Sequence, residues 1–253
     1  MNNSDRAWER WGAEDPYWGV LSSDQYRKEN LDAAALERFW ASGEAHVAGL
    51  LEQIHRHLDP GFAPRRVLDF GCGVGRLVVP FARRAETVVG MDVSESMRRE
   101  ARANCERMGV ANVALVPSDD RLSALEGQFD LVHSYIVFQH IPTARGERIL
   151  ARLAERITPD GVGAIQLPYH RSAPALRRAV NWTRQRVPGA NALVNAAQGR
   201  PVGTPLIQMN RYDLGRLYVM LERAGFDRIA ALLTHAATYH SATLLFQRSG
   251  DRR

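Results

Sequence analysis

Residues 67–76 read Val-Leu-Asp-Phe-Gly-Cys-Gly-Val-Gly-Arg, and a second apolar run, Thr87-Val-Val-Gly-Met-Asp92, ends on a carboxylate 17 positions beyond Gly75. No other pairing in the chain limits its fold as tightly. A buried strand has to turn at once into a helix, and glycines let that turn take positive φ and bring bare backbone against a ligand. An acidic residue closing the next strand then accepts the hydroxyls of a ribose. Together they point to a nucleotide-like cofactor. The glycines, Gly71, Gly73 and Gly75, stand first, third and fifth, and Arg76 holds the sixth position. A dinucleotide fingerprint asks for glycine first, third and sixth, so a pyrophosphate ligand is disfavoured.

Around this loop the chain alternates strand and helix from Arg65 to Pro168, the pattern of an α/β doubly wound, mostly parallel sheet. The strands read are 66–70, 87–91, 113–116, 129–134 and 162–167, with helices at about 74–84, 94–108 and 143–157. Ser94 is a plausible N-cap, Gly109 a stop, and Pro80 shortens or kinks the first helix. A helix over 212–224, stopped by Gly225, leads to strands near 227–233 and 242–247. Residues 61–253 are thus read as the main domain, with residues 1–60 as an N-terminal helical cap. That cap holds four of the five tryptophans, Trp8, Trp11, Trp18 and Trp40. From Leu36 to Leu58 the apolar residues keep helical spacing, with a potential break at Ser42-Gly43. The aromatic stretch before it either folds over the glycine loop or simply packs on the domain. An insertion at about 169–210, broken by Pro174, Pro188, Gly189, Pro201 and Pro205, lies beyond the carboxyl end of a strand, where open α/β sheets bind ligands. It reads as a helical lid; an oligomer contact and a membrane-surface helix are the alternatives.

Composition narrows the remaining classes. With 253 residues, 45% apolar and 24% charged, the chain suits one domain and a modest appendage. No apolar run reaches ~18 residues and the amino terminus lacks a signal core, so a soluble, cytoplasmic protein is expected. Two cysteines, Cys72 and Cys105, support neither a disulfide framework nor a four-ligand zinc site. The net charge of +5 is almost all arginine, with Lys28 the only lysine. Nucleic-acid binders show a basic stripe interleaved with aromatics, so a nucleic-acid partner is not expected, whereas a homodimer stays open.

The D-x-G-x-G-x-G pattern that starts at Asp69 resembles the first motif of the class I methyltransferases, which use S-adenosyl-L-methionine. The resemblance implies a seven-stranded sheet with a terminal hairpin. It implies that Asp69, Gly71, Cys72, Gly73 and Gly75 cradle the amino-acid part of the cofactor and that Asp92, with Val93 beside it, holds the ribose. The third strand ends Val116-Pro-Ser-Asp119-Asp120, where the family places an aspartate on the adenine amino group. Asp119 aligns best and Asp120 is the fallback, while either suits a cap for the segment that follows.

The fourth strand, Phe129 to Ser134, runs on through Tyr135 to His140 and resembles the post-strand motif of small-molecule methyltransferases, in which the strand end, here Ser134, flanks the sulfonium. The Asp/Asn-Pro-Pro-aromatic loop of amino methyltransferases is absent from this position. An oxygen acceptor is therefore expected. It needs a base, and His140 is the first candidate, with Tyr135 and Tyr169 to orient a hydroxyl. A packed histidine at the cofactor end is the alternative for His140; His170, His235 and His240 are weaker candidates. Asp160 precedes the fifth strand on the wrong side for a metal-dependent catechol enzyme, so no metal is expected. In the lid, Tyr169, His170, Arg177, Arg178 and Trp182 are expected to recognise an anionic or sugar-like metabolite by charge-assisted hydrogen bonds. The resulting expectation is O-methylation of a small or medium-sized metabolite. A methyltransferase of RNA or protein, a non-catalytic cofactor-binding pathway protein and a hydride-transferring dehydrogenase are its rivals.

Overall fold

A computed structural model describes residues 3–172, 180, 183–184, 187, 189–199, 201–236 and 239–249. Strands β1 (Arg66–Phe70), β2 (Thr87–Asp92), β3 (Val113–Pro117), β4 (Phe129–Ser134), β5 (Ile157–Arg171), β6 (Arg228–Ala236) and β7 (Tyr239–Gln247) form one sheet in the order β3-β2-β1-β4-β5-β7-β6. Pairing is parallel from β3 through β5, and β7 enters antiparallel between β5 and β6. The order reverses direction between β1 and β4, which opens a crevice beyond their carboxyl ends, the usual ligand position in such sheets.

The helices are α1 (Asn3–Glu14), α2 (Pro16–Val20), α3 (Ala33–His57), α4 (Val78–Ala82), α5 (Glu95–Arg107), α6 (Thr143–Glu155), α7 (Ala190–Ala197) and α8 (Leu214–Arg223), with short 3-10 turns at Asp24–Tyr26 and Phe138–His140. Side-chain caps start three of them: Asp32 accepts from Ala35 N, Ser94 from Met97 N and Asp213 from Arg216 N. No helix among the described residues is long and apolar enough to cross a membrane.

Strand alternation sorts the core into two layers. Leu68 and Phe70 of β1 face a cluster with Phe129, Val132, Leu150, Leu153 and Leu221. Val67 faces the opposite cluster with Val47, Ile54, Val79, Phe81 and Leu131. Asp69 shares the parity of Val67, which carries its side chain under α3 and α4.

Several expectations shift for identifiable reasons. The helix after the loop shrinks to Val78–Ala82, because Gly75, at φ 87°, holds the chain in a turn and Pro80 has no N–H to offer. Helix α3 runs unbroken through Ser42-Gly43. Ser42 Oγ bonds back to Phe39 O at 2.6 Å, and Gly43 is bare because a Cβ there would collide with the carbonyl oxygen of Arg76. Strand β5 extends to Arg171 because the β6–β7 hairpin keeps pairing with it, His170 opposite His240 and Arg171 opposite Tyr239. His170 is therefore part of the sheet rather than a residue beyond it. The aromatic N-terminal stretch is helical from residue 3.

Buried Tyr212 ties the segment leading into α8 to the site loop: its hydroxyl lies 3.0 Å from Phe138 O and 2.9 Å from Ile141 O, both acceptors. Tyr212→Phe should lower the free energy of unfolding by about 1–2 kcal/mol; urea titration monitored by circular dichroism checks it.

Candidate functional site

The glycine loop takes its shape from the end of β2. Gly71, Gly73 and Gly75 all have positive φ, at 77°, 53° and 87°. The N–H groups of Gly71 and Cys72 both donate to Met91 O, at 2.7 and 3.1 Å. Asp92 divides its carboxylate between two backbone donors, Gly73 N at 2.9 Å and Ser94 N at 2.8 Å. Burial raises its pKa, and these N–H bonds together with Arg98 oppose that shift. One side chain thereby fixes the loop and the start of α5 against each other. Each oxygen keeps a lone pair for a further donor.

A cavity of about 110 Å³ lies over this loop. Gly71, Gly73, Asp92, Val93 and Ser118 form one wall, and Tyr135, Ile136, Val137, His140 and Arg145 form the other. Ser4, Asp5 and Trp8 of α1, with Gly19 and Val20 of α2, form the roof. The roof is latched at several points. Ser4 Oγ donates to His140 O at 3.0 Å, and Arg145 grips Asp5 through both terminal nitrogens, at 2.7 and 3.2 Å. Glu9 accepts from Ser94 Oγ, Ser96 Oγ and Ser96 N at the N-terminus of α5, where a negative charge is favoured. Gly12 permits this approach, since a Cβ on it would lie 2.5 Å from Ser94 Oγ. Small-molecule pockets usually measure roughly 300–1,000 Å³, so this space is small for a nucleoside-sized ligand.

The structure gathers Gly71, Gly73, Asp92, Val93, Tyr135 and His140 on this cavity, and it places the other expected residues elsewhere. Asp69 is buried under α3, where the Nδ1–H of His133 donates to it at 2.8 Å; the other His133 nitrogen meets His46 Nε2 at 3.1 Å. Burial, with His133 and Arg76 nearby, pushes His46 down to about 2. The His46 ring in turn packs on Tyr135, with centroids 4.0 Å apart. Asp69 thus supports the site from below, because strand alternation turns it away from the crevice. Ser134 Oγ is spent on Phe70 O at 2.9 Å, Cys72 is buried, and the position of a Gly75 Cβ abuts Ala101 of α5. Asp119 caps its own turn by accepting from Arg121 N and Ser123 N, and Asp120 pairs with Arg145 Nε at 2.6 Å. Neither lines the cavity; Ser118 does. Tyr169 borders a separate surface cavity beside Tyr212 and Asp213, and His170 pairs in the sheet. Arg177, Arg178 and Trp182 lie outside the described residues.

His140 is buried and both ring nitrogens are engaged. Gln208 O, an acceptor at 2.8 Å, requires the proton on Nδ1, which leaves Nε2 to accept from the Gln139 amide at 3.1 Å. Burial pushes its pKa down to about 4, and Trp8 packs on the ring with centroids 4.7 Å apart. It is a neutral wall residue whose basic atom becomes available only when Gln139 swings away.

Sequence reasoning missed Ile136, Gln166 and Arg145. Ile136 has φ 62°, a conformation costly for a β-branched residue, and Gln166 Oε1 holds it there by accepting from its N–H at 2.9 Å. No local pattern announces such strain. Arg145 is one arginine among many in the sequence, and only its junction with Asp5 and Asp120 marks it.

Two outcomes follow from this geometry. His46 and His140 have pKa values below the unfolded value of about 6.5, so the unfolded chain binds more protons in acid. Their contribution to stability is complete above about pH 6.5 and declines as pH falls from there toward 4. Urea midpoints should drop over that window, and His140→Gln should flatten the drop; a wild-type midpoint independent of pH would contradict the assignment. Secondly, amide exchange in residues 3–20 should slow when a ligand fills the cavity, and Asp5→Asn should accelerate that exchange in the free protein.

Residues 67–161 match the family model described as a methyltransferase domain. The chain is 31% identical over 172 residues to trans-aconitate 2-methyltransferase of Deinococcus radiodurans, covering 61% of this chain and 64% of that protein. It is 36% identical over 84 residues to the ubiquinone biosynthesis O-methyltransferase of Acinetobacter baylyi, covering 32% of this chain and 35% of that one. The match therefore spans less than two thirds of either relative. Among solved structures, magnesium protoporphyrin IX methyltransferase from Synechocystis with bound SAM superposes with a TM-score of 0.58 at 21% identity, covering 98% of both chains. The N-methyltransferase NodS of Bradyrhizobium japonicum gives 0.57 at 13% identity, covering 98% of this chain and 99% of that one. Residues 67–161 therefore carry the match to a methyltransferase domain, and the fold of the described residues is that of the solved methyltransferases on which it superposes.

Proposed function

We propose that the protein is an S-adenosyl-L-methionine-dependent methyltransferase that methylates an oxygen of a small or medium-sized metabolite. The observation that carries this reading is the cavity in which the glycine loop, Asp92 and the end of β4 meet beneath the aromatic roof of α1 and α2. The donor set suits the cofactor. Gly71 and Gly73 leave open backbone where a Cβ would strike Val137 and Val20. Asp92 retains lone pairs for ribose hydroxyls, and Val93 and Ser118 replace Asp119 and Asp120 as the wall offered to the adenine. When bound, the cofactor supplies a methyl group activated on a sulfonium.

The chain's own part is positioning and exclusion of water, which can account for much of the acceleration of a displacement. Trp8, Val20 and His140 close the space around the reacting atoms, while Ile136 and Tyr135 shape the end of β4. The relatives agree with a metabolite acceptor: one is named for ubiquinone biosynthesis and another for trans-aconitate.

Incubation with methyl-labelled S-adenosylmethionine and a fractionated cell extract should place label in the small-molecule fraction; label confined to RNA or protein would contradict the reading. Gly73→Val should abolish cofactor binding. Asp92→Ala should cost ~1.5–3 kcal/mol, a roughly tenfold to hundredfold rise in Kd, through lost charge-assisted hydrogen bonds; unchanged titrations in both variants would overturn the site.

A further inference from the structure

The end of β4 is anchored on both flanks and strained between them. On one side Ser134 Oγ donates to Phe70 O at 2.9 Å. On the other, the turn at Phe138–His140 is held by the Tyr212 hydroxyl, and the N–H of Tyr212 donates in turn to Pro168 O of β5 at 2.8 Å. Tyr135, Ile136 and Val137 have to complete the reversal between these anchors, and Ile136 absorbs it at φ 62°. Among the described residues, Leu122 is the only other non-glycine at positive φ. A β-branched residue is an outlier in that region, and such a conformation persists only where the surrounding structure imposes it.

Gln166 is the group that imposes it. Strand β5 lies inside the sheet and feeds both core layers, Ile165 and Leu167 one of them and Val162 and Ala164 the other. A strand so placed is expected to be apolar throughout. Gln166 interrupts the run, on the face of Val162 and Ala164 by strand parity. Its Oε1 accepts from Ile136 N–H at 2.9 Å, the one side-chain hydrogen bond of this glutamine among the described residues. Without that acceptor the Ile136 N–H is left unpaired in a half-buried turn, which is costly.

The strained turn carries its neighbours to the cavity, which Tyr135, Ile136 and Val137 all line. Val137 presses on the glycine loop, since a Cβ on Gly71 would lie 2.2 Å from Val137 Cγ2. Tyr135 packs on His46, with ring centroids 4.0 Å apart. Rotation about φ at Ile136 swings the chain on one side of it against the chain on the other, so its release would displace Tyr135 and Val137 relative to each other.

We propose that Gln166 is a positioning residue for the methyl transfer: it does not line the cavity, and it acts by holding Ile136 in the strained turn that sets Tyr135 and Val137 there. The inference rests on the methyltransferase reading above and goes beyond it by naming a residue outside the cavity on which the reaction depends.

Three substitutions test it. Gln166→Leu removes the acceptor at similar volume, Gln166→Glu keeps an acceptor, and Ile136→Gly removes the strain, because glycine takes positive φ freely. Methyl uptake from labelled S-adenosylmethionine into the small-molecule fraction of a cell extract is followed at saturating cofactor, with the cofactor Kd measured alongside. Gln166→Leu should lower the maximal rate roughly tenfold to a hundredfold, the cost of misplacing a positioned group by about an ångström, with a far smaller change in Kd. Gln166→Glu should restore most of the rate. In the Ile136→Gly background the leucine substitution should cost less than about threefold, since no strain remains to be held. A wild-type rate in Gln166→Leu, or an equal loss in both backgrounds, would overturn the proposal. Should Gln166→Leu fail to fold, Gln166→Asn, whose amide stops one methylene short of Ile136, takes its place with the same expectations. Amide exchange supplies a readout independent of turnover: the Ile136 N–H should exchange slowly in wild type and in Gln166→Glu and fast in Gln166→Leu, and equal exchange in all three would overturn the positioning. With that difference intact, absence of label transfer by the wild-type protein would instead strike the methyltransferase reading, so the two failures are distinguishable.

Discussion

The carboxylate of Asp92 is the constraint on which the site depends. Its two oxygens receive Gly73 N and Ser94 N, so the turn after β1 and the first turn of α5 cannot move independently. Ser94 then passes the constraint outward, because its hydroxyl caps α5 and also donates to Glu9 of the roof. One acidic residue at the end of β2 therefore sets the loop, the helix start and the seat of the N-terminal cap. Burial of that charge is unfavourable, and the backbone donors offset it.

The sheet was legible because its signals are local. Apolar runs, Gly75, Ser94 and Gly225 mark where strands and helices begin and end, and β1 to β4 fell within a residue of their expected limits, whereas β5 and β7 ran on where they pair with each other. The cofactor cradle was legible in part for the same reason: Gly71, Gly73 and Asp92 do converge. Asp69 shows where motif position and strand parity conflict. Its place before the glycines suggested a ligand contact, yet it alternates with Leu68 and Phe70, and its partner His133 is 64 residues away. Asp119 and Asp120 likewise satisfy local and long-range bonds that no spacing rule exposes.

The roof was less legible. Four N-terminal tryptophans announced a buried aromatic surface but not its target, since the pairings of Ser4 with His140, Asp5 with Arg145 and Glu9 with Ser94 each span 85 residues or more. These contacts give the cap two faces. Trp8 closes the small cavity over the glycine loop, while Arg10, Trp11 and Trp18 border a second, larger one. A single structural unit therefore contributes walls to both spaces.

Calorimetric titration of the purified chain with S-adenosylmethionine and, in parallel, with NAD tests the central claim most directly. The glycine spacing and the Asp92 bridge predict saturable one-site binding of S-adenosylmethionine and no binding of NAD. Binding of NAD in preference would contradict the account.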